Sequence, residues 1–207
     1  MEWYEEEVRA RELRMLETPP ATGLVVFYGS SSLRMWESLE DDLPGVGLLN
    51  QAFGGSTLEA CAWFFERLVV PCYPRALVCY AGDNDLGDGR TPDQVLASFG
   101  KLLAKVDAYF PAIPLTMLAI KPSPARWHLK EQIGAVNAGM CRALETRANG
   151  YFIDTFSAML GRDGLPDTSL FLEDGLHVSP KGYLVWQRLL ESRSAAIFGT
   201  VCQPGPA

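Results

Sequence analysis

Leu24-Val25-Val26-Phe27-Tyr28-Gly29-Ser30-Ser31-Ser32 is the stretch on which the fold turns. Five apolar or aromatic residues follow one another without a polar interruption, as in a strand buried on both faces of a parallel sheet. The run stops at a glycine and three serines, after which Leu33, Trp36 and Leu39 mark a helix. Similar runs recur at Gly47 to Phe53, Ala76 to Tyr80, Leu115 to Ile120 and Tyr151 to Ile153. Longer amphipathic segments lie between them. Five strands with interleaved helices predict an α/β fold: a three-layer α/β/α domain of flavodoxin-like type with a five-stranded parallel sheet.

The helices carry readable starts. Ser56 with Glu59 forms a capping-box pattern before Leu58, Cys61, Ala62, Phe65 and Val69. Thr91 and Pro92 open the next helix, with Gln94 following, and Ser179 and Pro180 repeat that start before Tyr183, Trp186 and Leu190. A further helix is expected from about Trp127 to Arg147. Tyr4, Val8 and Met15 mark an N-terminal helix within residues 1–18. No internal repeat or linker interrupts the chain, so residues 1–207 read as one domain with its core over 22–198 and a loose tail from Cys202 to Ala207.

Composition limits the function. The 207 residues are 48% hydrophobic and 21% charged, which excludes collagen, disorder and a coiled coil. No apolar stretch approaches a membrane span, and Met1 to Glu12 is too acidic for a signal peptide, so a soluble, cytoplasmic protein is expected. The odd set Cys61, Cys72, Cys79, Cys141 and Cys202 lacks metal-type spacing and fits free thiols in a reducing compartment. With 18 basic against 25 acidic side chains, the net charge of −7 disfavours nucleic acid or an anionic membrane as partner. A small neutral or cationic substrate suits the chain better.

In a sheet of this type ligands bind beyond the carboxyl ends of the strands. The first strand end offers the serines, whose residue at the strand-to-helix turn either presents a nucleophilic hydroxyl or caps the helix. The second offers Asn50-Gln51-Ala52-Phe53-Gly54-Gly55-Ser56-Thr57, and the third Gly82-Asp83-Asn84-Asp85. Near the C-terminus stands Asp174-Gly175-Leu176-His177. Glycine pairs commonly serve turns, and an Asn or Asp in a turn commonly bonds its own backbone. Taken together, the pieces supply a nucleophile, oxyanion donors, a base and a carboxylate on one edge of one sheet.

That ordered set resembles the SGNH, or GDSL-type, hydrolase family, over the span from about Leu24 to Leu190. The family's Ser, Gly, Asn and His blocks look like Ser31, Gly55, Asn84 and His177, and Asp174 to His177 looks like its D-x-x-H block. One departure stands out: Ser30 replaces the Asp of the usual Gly-Asp-Ser opening. The resemblance implies a cofactor-free serine esterase acting on small carboxylic esters. Ser31 would be the nucleophile, His177 the base and Asp174 its orienting carboxylate, with Ser31, Gly55 and Asn84 donating to the oxyanion.

Other readings use the same residues. The triad would equally serve an acyltransferase, a thioesterase or a lysophospholipase, and a non-catalytic flavodoxin-like domain could cradle an anion on Gly54, Gly55 and the serines. Asp83, Asp85 and Asp88 sit at spacings that suit a hard cation, but Gln94 stands where an EF-hand loop needs Glu, so no metal is expected. His128, the second histidine, reads as a solvated helix-start residue or a substrate-wall contact. Arg34 reads as one half of an ion pair, and Trp127 as a core or lid aromatic. Trp3, Tyr4 and Val8 could pack on the chain's own sheet or on a second copy as a homo-oligomer.

Overall fold

The computed structural model describes residues 1–198; the expected loose tail, with Cys202, lies outside the described residues. Five strands form one sheet: β1 (Val25–Gly29), β2 (Leu48–Asn50), β3 (Ala76–Tyr80), β4 (Leu115–Leu118) and β5 (Gly150–Ile153). Their order is β2-β1-β3-β4-β5, and every pairing is parallel. This is the flavodoxin-like order, whose switch point falls between β1 and β3. Both are buried along their full length, as the unbroken apolar runs require.

The α-helices are α1 (Glu5–Glu17), α2 (Ser31–Arg34), α3 (Leu39–Asp42), α4 (Leu58–Leu68), α5 (Asp83–Gly87), α6 (Pro92–Tyr109), α7 (Lys130–Glu145), α8 (Thr155–Ala158), α9 (Pro180–Glu191) and α10 (Ser194–Ile197). Successive strand residues point to opposite faces, so β1 feeds two cores. Val26 and Tyr28 pack with Val8 of α1 and with apolar residues of α4, α6 and α7. Val25 and Phe27 pack with Leu33, Trp36, Leu39 and the α9 residues Tyr183, Trp186 and Leu190. Three layers result.

Two of the expected helix starts are present as read. Thr91 and Gln94 form a complete capping box ahead of α6, and the Ser179 hydroxyl accepts the Gly182 N–H ahead of α9. The start of α4 lies one residue later than expected: Thr57, not Ser56, accepts the Ala60 N–H as N-cap. The segment from Trp127 also differs. Residues Pro124–Leu129 form a 3-10 turn broken at Arg126, and the regular helix begins only at Lys130.

Gly29 couples the sheet to the serine turn. Its φ of 141° and its contact with β3 both exclude a side chain, since a β-carbon there would lie 1.9 Å from the Tyr80 carbonyl oxygen. The next residue, Ser30, donates its N–H to that same oxygen at 2.8 Å. The ends of β1 and β3 are thereby drawn together beneath the serines.

Candidate active site

Ser31 is the first residue of α2, following the extended residue Ser30. Ser30 and Ser32 are buried and Ser31 is only partly so. Ser30 occupies the N-cap position but makes no side-chain capping bond, so the serines are not there to cap the helix. The Ser31 Oγ lies 3.2 Å from Nε2 of His177, which comes from the far end of the chain. On the other side of the ring, Nδ1 lies 2.6 Å from Oδ2 of Asp174. With the Nδ1 proton held by that carboxylate, Nε2 is left free to accept the serine proton.

The loop carrying Asp174 and His177 is closed locally. Leu172 donates its N–H to the His177 carbonyl, Gly175 adopts φ 63°, and Phe171 bridges to Val178. The Leu176 and His177 N–H groups both donate to Oδ1 of Asp174, at 2.8 and 2.9 Å. The His177 bond, backed by these N–H groups, holds the Asp174 carboxyl down at about 2. One residue past the loop, Ser179 starts α9, and that helix returns to the serine turn: the Tyr183 hydroxyl donates to the Ser32 carbonyl at 2.9 Å.

The glycine turn after β2 and the start of α5 after β3 meet at Asn84. Its Nδ2 donates to the Ser56 carbonyl at 3.1 Å, immediately after Gly55, which has φ 66°. Both Nη nitrogens of Arg126 lie 3.2 Å from Oδ1 of Asn84. Because a guanidinium can only donate, this contact fixes which end of the amide is oxygen. The second Nδ2 hydrogen and the backbone N–H groups of Ser31 and Gly55 find no acceptor among the described residues. These are the three donors that the sequence pattern singles out.

Arg126 belongs to a buried charge cluster. Its Nη1 lies 2.7 Å from Oδ1 of Asp83, while Lys121 places Nζ 2.5 Å from Oδ2 of Asp83 and 3.0 Å from the Tyr80 hydroxyl. Burial alone would raise the Asp83 carboxyl, but Lys121 and Arg126 together bring it below its ordinary value. Next to it, Asp85 accepts the Leu58 N–H at 2.9 Å, and burial pushes its carboxyl up to about 6. The acidic run is thus divided: Asp83 faces two cations and Asp85 faces the start of α4.

Lys121 and Arg126 are the site-border residues that sequence reasoning did not single out. The sequence does place the loop Lys121-Pro122-Ser123-Pro124-Ala125-Arg126 after the fourth strand, where it could border the pocket, but nothing in the loop marks these two residues as partners of Asp83 and Asn84. Arg34 is the ion-pair residue expected, with Nε 3.9 Å from a Glu7 oxygen. Trp127 is half-buried and stacks on Phe156, with Lys130 over its ring. His128 is exposed.

A serine, an imidazole and a carboxylate thus stand in line beyond the strand ends, at the switch point of a parallel sheet. The sequence model of the GDSL-like lipase/acylhydrolase family matches residues 23–185, and the chain belongs to that family. Sequence comparison yields no similar curated protein. The fold is similar to that of a Bacteroides fragilis protein assigned as an acylhydrolase, at 20% identity and a TM-score of 0.80 over 92% of this chain and 97% of that one. It is also similar to a GDSL-like lipase from Bacteroides thetaiotaomicron, at 19% identity and a TM-score of 0.69 over 92% and 95%. A third similar structure is a catalytic mutant of an acetylxylan esterase from Geobacillus stearothermophilus, at 12% identity and a TM-score of 0.68 over 87% and 98%. Among the described residues no helix is long and apolar enough to cross a membrane.

Proposed function

We propose that the protein is a serine esterase that hydrolyses small carboxylic esters through an acyl-serine intermediate. The observation that carries this reading is the line from Ser31 Oγ through the His177 ring to Asp174, at 3.2 and 2.6 Å. Ser31 attacks the ester carbonyl while His177 Nε2 takes the hydroxyl proton, and Asp174 stabilises the imidazolium. The tetrahedral oxyanion receives the N–H groups of Ser31 and Gly55 and the free hydrogen of Asn84. His177 then protonates the departing alkoxide, and the alcohol leaves. A water molecule repeats the sequence on the acyl-serine, returning carboxylic acid and free Ser31.

The reaction calls for no metal or cofactor, and its partner is a small ester rather than a nucleic acid or a membrane. Free thiols at Cys61, Cys72 and Cys79 suit a reducing compartment such as the cytoplasm. The test is a panel of p-nitrophenyl esters of graded chain length beside acetylated sugars, which the acetylxylan esterase neighbour makes a natural inclusion. Short acyl chains should be cleaved fastest, and a fluorophosphonate probe should add once, at Ser31. Labelling at Ser30 or Ser32, or hydrolysis that survives Ser31→Ala, would overturn the reading.

A further inference from the structure

Helix α1 precedes the sheet and contributes nothing to the Ser31–His177–Asp174 line, yet it reaches the glycine turn beside it. Gly54 donates its N–H to Oε2 of Glu7 at 2.8 Å, and the Tyr4 hydroxyl, just before the helix, donates to the Gly55 carbonyl at 3.2 Å. These bonds hold the peptide groups immediately before and after the one that carries the Gly55 N–H. A glycine pair has no side chains to fix its own dihedrals, so an aimed N–H in this turn needs outside support. The space at Gly54 is filled accordingly: a β-carbon there would lie 3.2 Å from both Glu7 Oε2 and Arg34 Nε.

Glu7 is itself held. Its Oε1 accepts from Arg11 Nη2 at 3.0 Å, and Arg11 Nη1 donates to the Asn50 carbonyl at 3.1 Å. Asn50 in turn donates Nδ2 to the Leu33 carbonyl at 2.7 Å, on the nucleophile helix. Tyr4 is braced by edge contacts with Phe53 and Phe64. We infer that Glu7 and Tyr4 are positioning residues of the esterase, holding the Gly54–Gly55 turn from outside so that the Gly55 N–H faces the oxyanion. This inference rests on the esterase reading.

Three variants with a control test it. Glu7→Ala should lower kcat by about tenfold while KM stays within about twofold, because a misaimed donor is missed chiefly in the transition state. Glu7→Gln keeps an acceptor for the Gly54 N–H and should recover most of the loss. Tyr4→Phe keeps the aromatic packing and should lower kcat by a few-fold. The control is Glu12→Ala, which removes one of the two carboxylates, Glu12 and Glu5, that tie the same helix to Arg67 of α4, without touching the turn. It should shift the unfolding midpoint but leave kcat per folded molecule unchanged.

Fluorophosphonate labelling of Ser31, which passes through the same oxyanion geometry, should slow in step with kcat. An active wild type whose kcat is indifferent to Glu7→Ala, or a Glu7→Ala loss matched by Glu12→Ala, overturns the inference alone. A wild type that neither cleaves esters nor takes the probe overturns the esterase reading and this inference with it.

Discussion

Both terminal nitrogens of Arg126 lie 3.2 Å from the Asn84 side-chain oxygen, so a residue 42 positions away sets the direction of that amide. The hydrogen left free on Asn84 is the one assigned to the oxyanion. Asn84→Ala should therefore lower kcat by about two orders of magnitude with little change in KM. Arg126→Met should give a smaller kcat loss of about tenfold, since the amide remains but loses its guide. Steady-state kinetics and thermal unfolding on the same preparations check both, and a kcat loss that only tracks the unfolded fraction would make Asn84 a structural residue.

Turnover should depend on His177, whose Nε2 lies 3.2 Å from the Ser31 hydroxyl and takes its proton in the proposed reaction. The Asp174 carboxyl, held at about 2, stays ionised throughout any practical assay range, so its own titration should leave no limb on the kcat/KM profile. His177→Ala should abolish turnover and His128→Ala should leave it nearly intact. The reverse result would move the base to the other histidine.

Asp85 predicts a pH dependence of stability. Its folded carboxyl titrates at about 6 against an ordinary value of 3.8, so between those values the folded protein binds more protons than the unfolded chain. Stability should fall as pH rises through that window, by about 3 kcal/mol at most, and change little from this group above it. Asp85→Asn keeps an acceptor for the Leu58 N–H and removes the charge, and should flatten urea-unfolding stability between pH 4 and 6. Asp174, with its depressed value, loses its contribution only as pH falls toward 2 and lies outside the window.

Gly29→Ala should be among the most damaging single-methyl changes in the chain. The added carbon would meet the Tyr80 carbonyl at 1.9 Å at a φ of 141°, and only separation of β1 from β3 would relieve it. A loss of about 4 kcal/mol or more is expected in urea unfolding. An alanine variant of near-normal stability would show that the two strand ends are not pressed together.

The sequence is most legible where local and global demands agree. Ala76 to Tyr80 can be read to the residue because a central strand buried on both faces leaves an unbroken apolar run. The second strand reads from Gly47 to Phe53, whereas the regular strand covers only Leu48–Asn50 at the sheet edge; beyond it Gln51 and Phe53 still donate their N–H groups to the Phe27 and Gly29 carbonyls of β1 as the chain runs into the glycine turn. Thr57 displaces Ser56 as cap because either hydroxyl suits the position and tertiary packing chooses. At the site, Ser31, Asp174 and His177 are legible because D-x-x-H is a local pattern and the serine follows a strand. Arg126 and Glu7 are not. Each acts through a contact more than 40 residues away in sequence, with no spacing to announce it.

The hydroxyl of Tyr183 that seizes the Ser32 carbonyl makes α9 a latch on α2. A nascent or refolding chain can complete β1 and its serine turn long before the segment that bears His177 exists or has docked. Closing a loop of 146 residues comes late when nearer contacts are available to form first. Turnover therefore reports the arrival of the C-terminal quarter rather than the presence of the sheet. In a refolding experiment the return of catalysis should lag the return of helical signal, and the nucleophile should stay chemically quiet until the chain that carries it is complete.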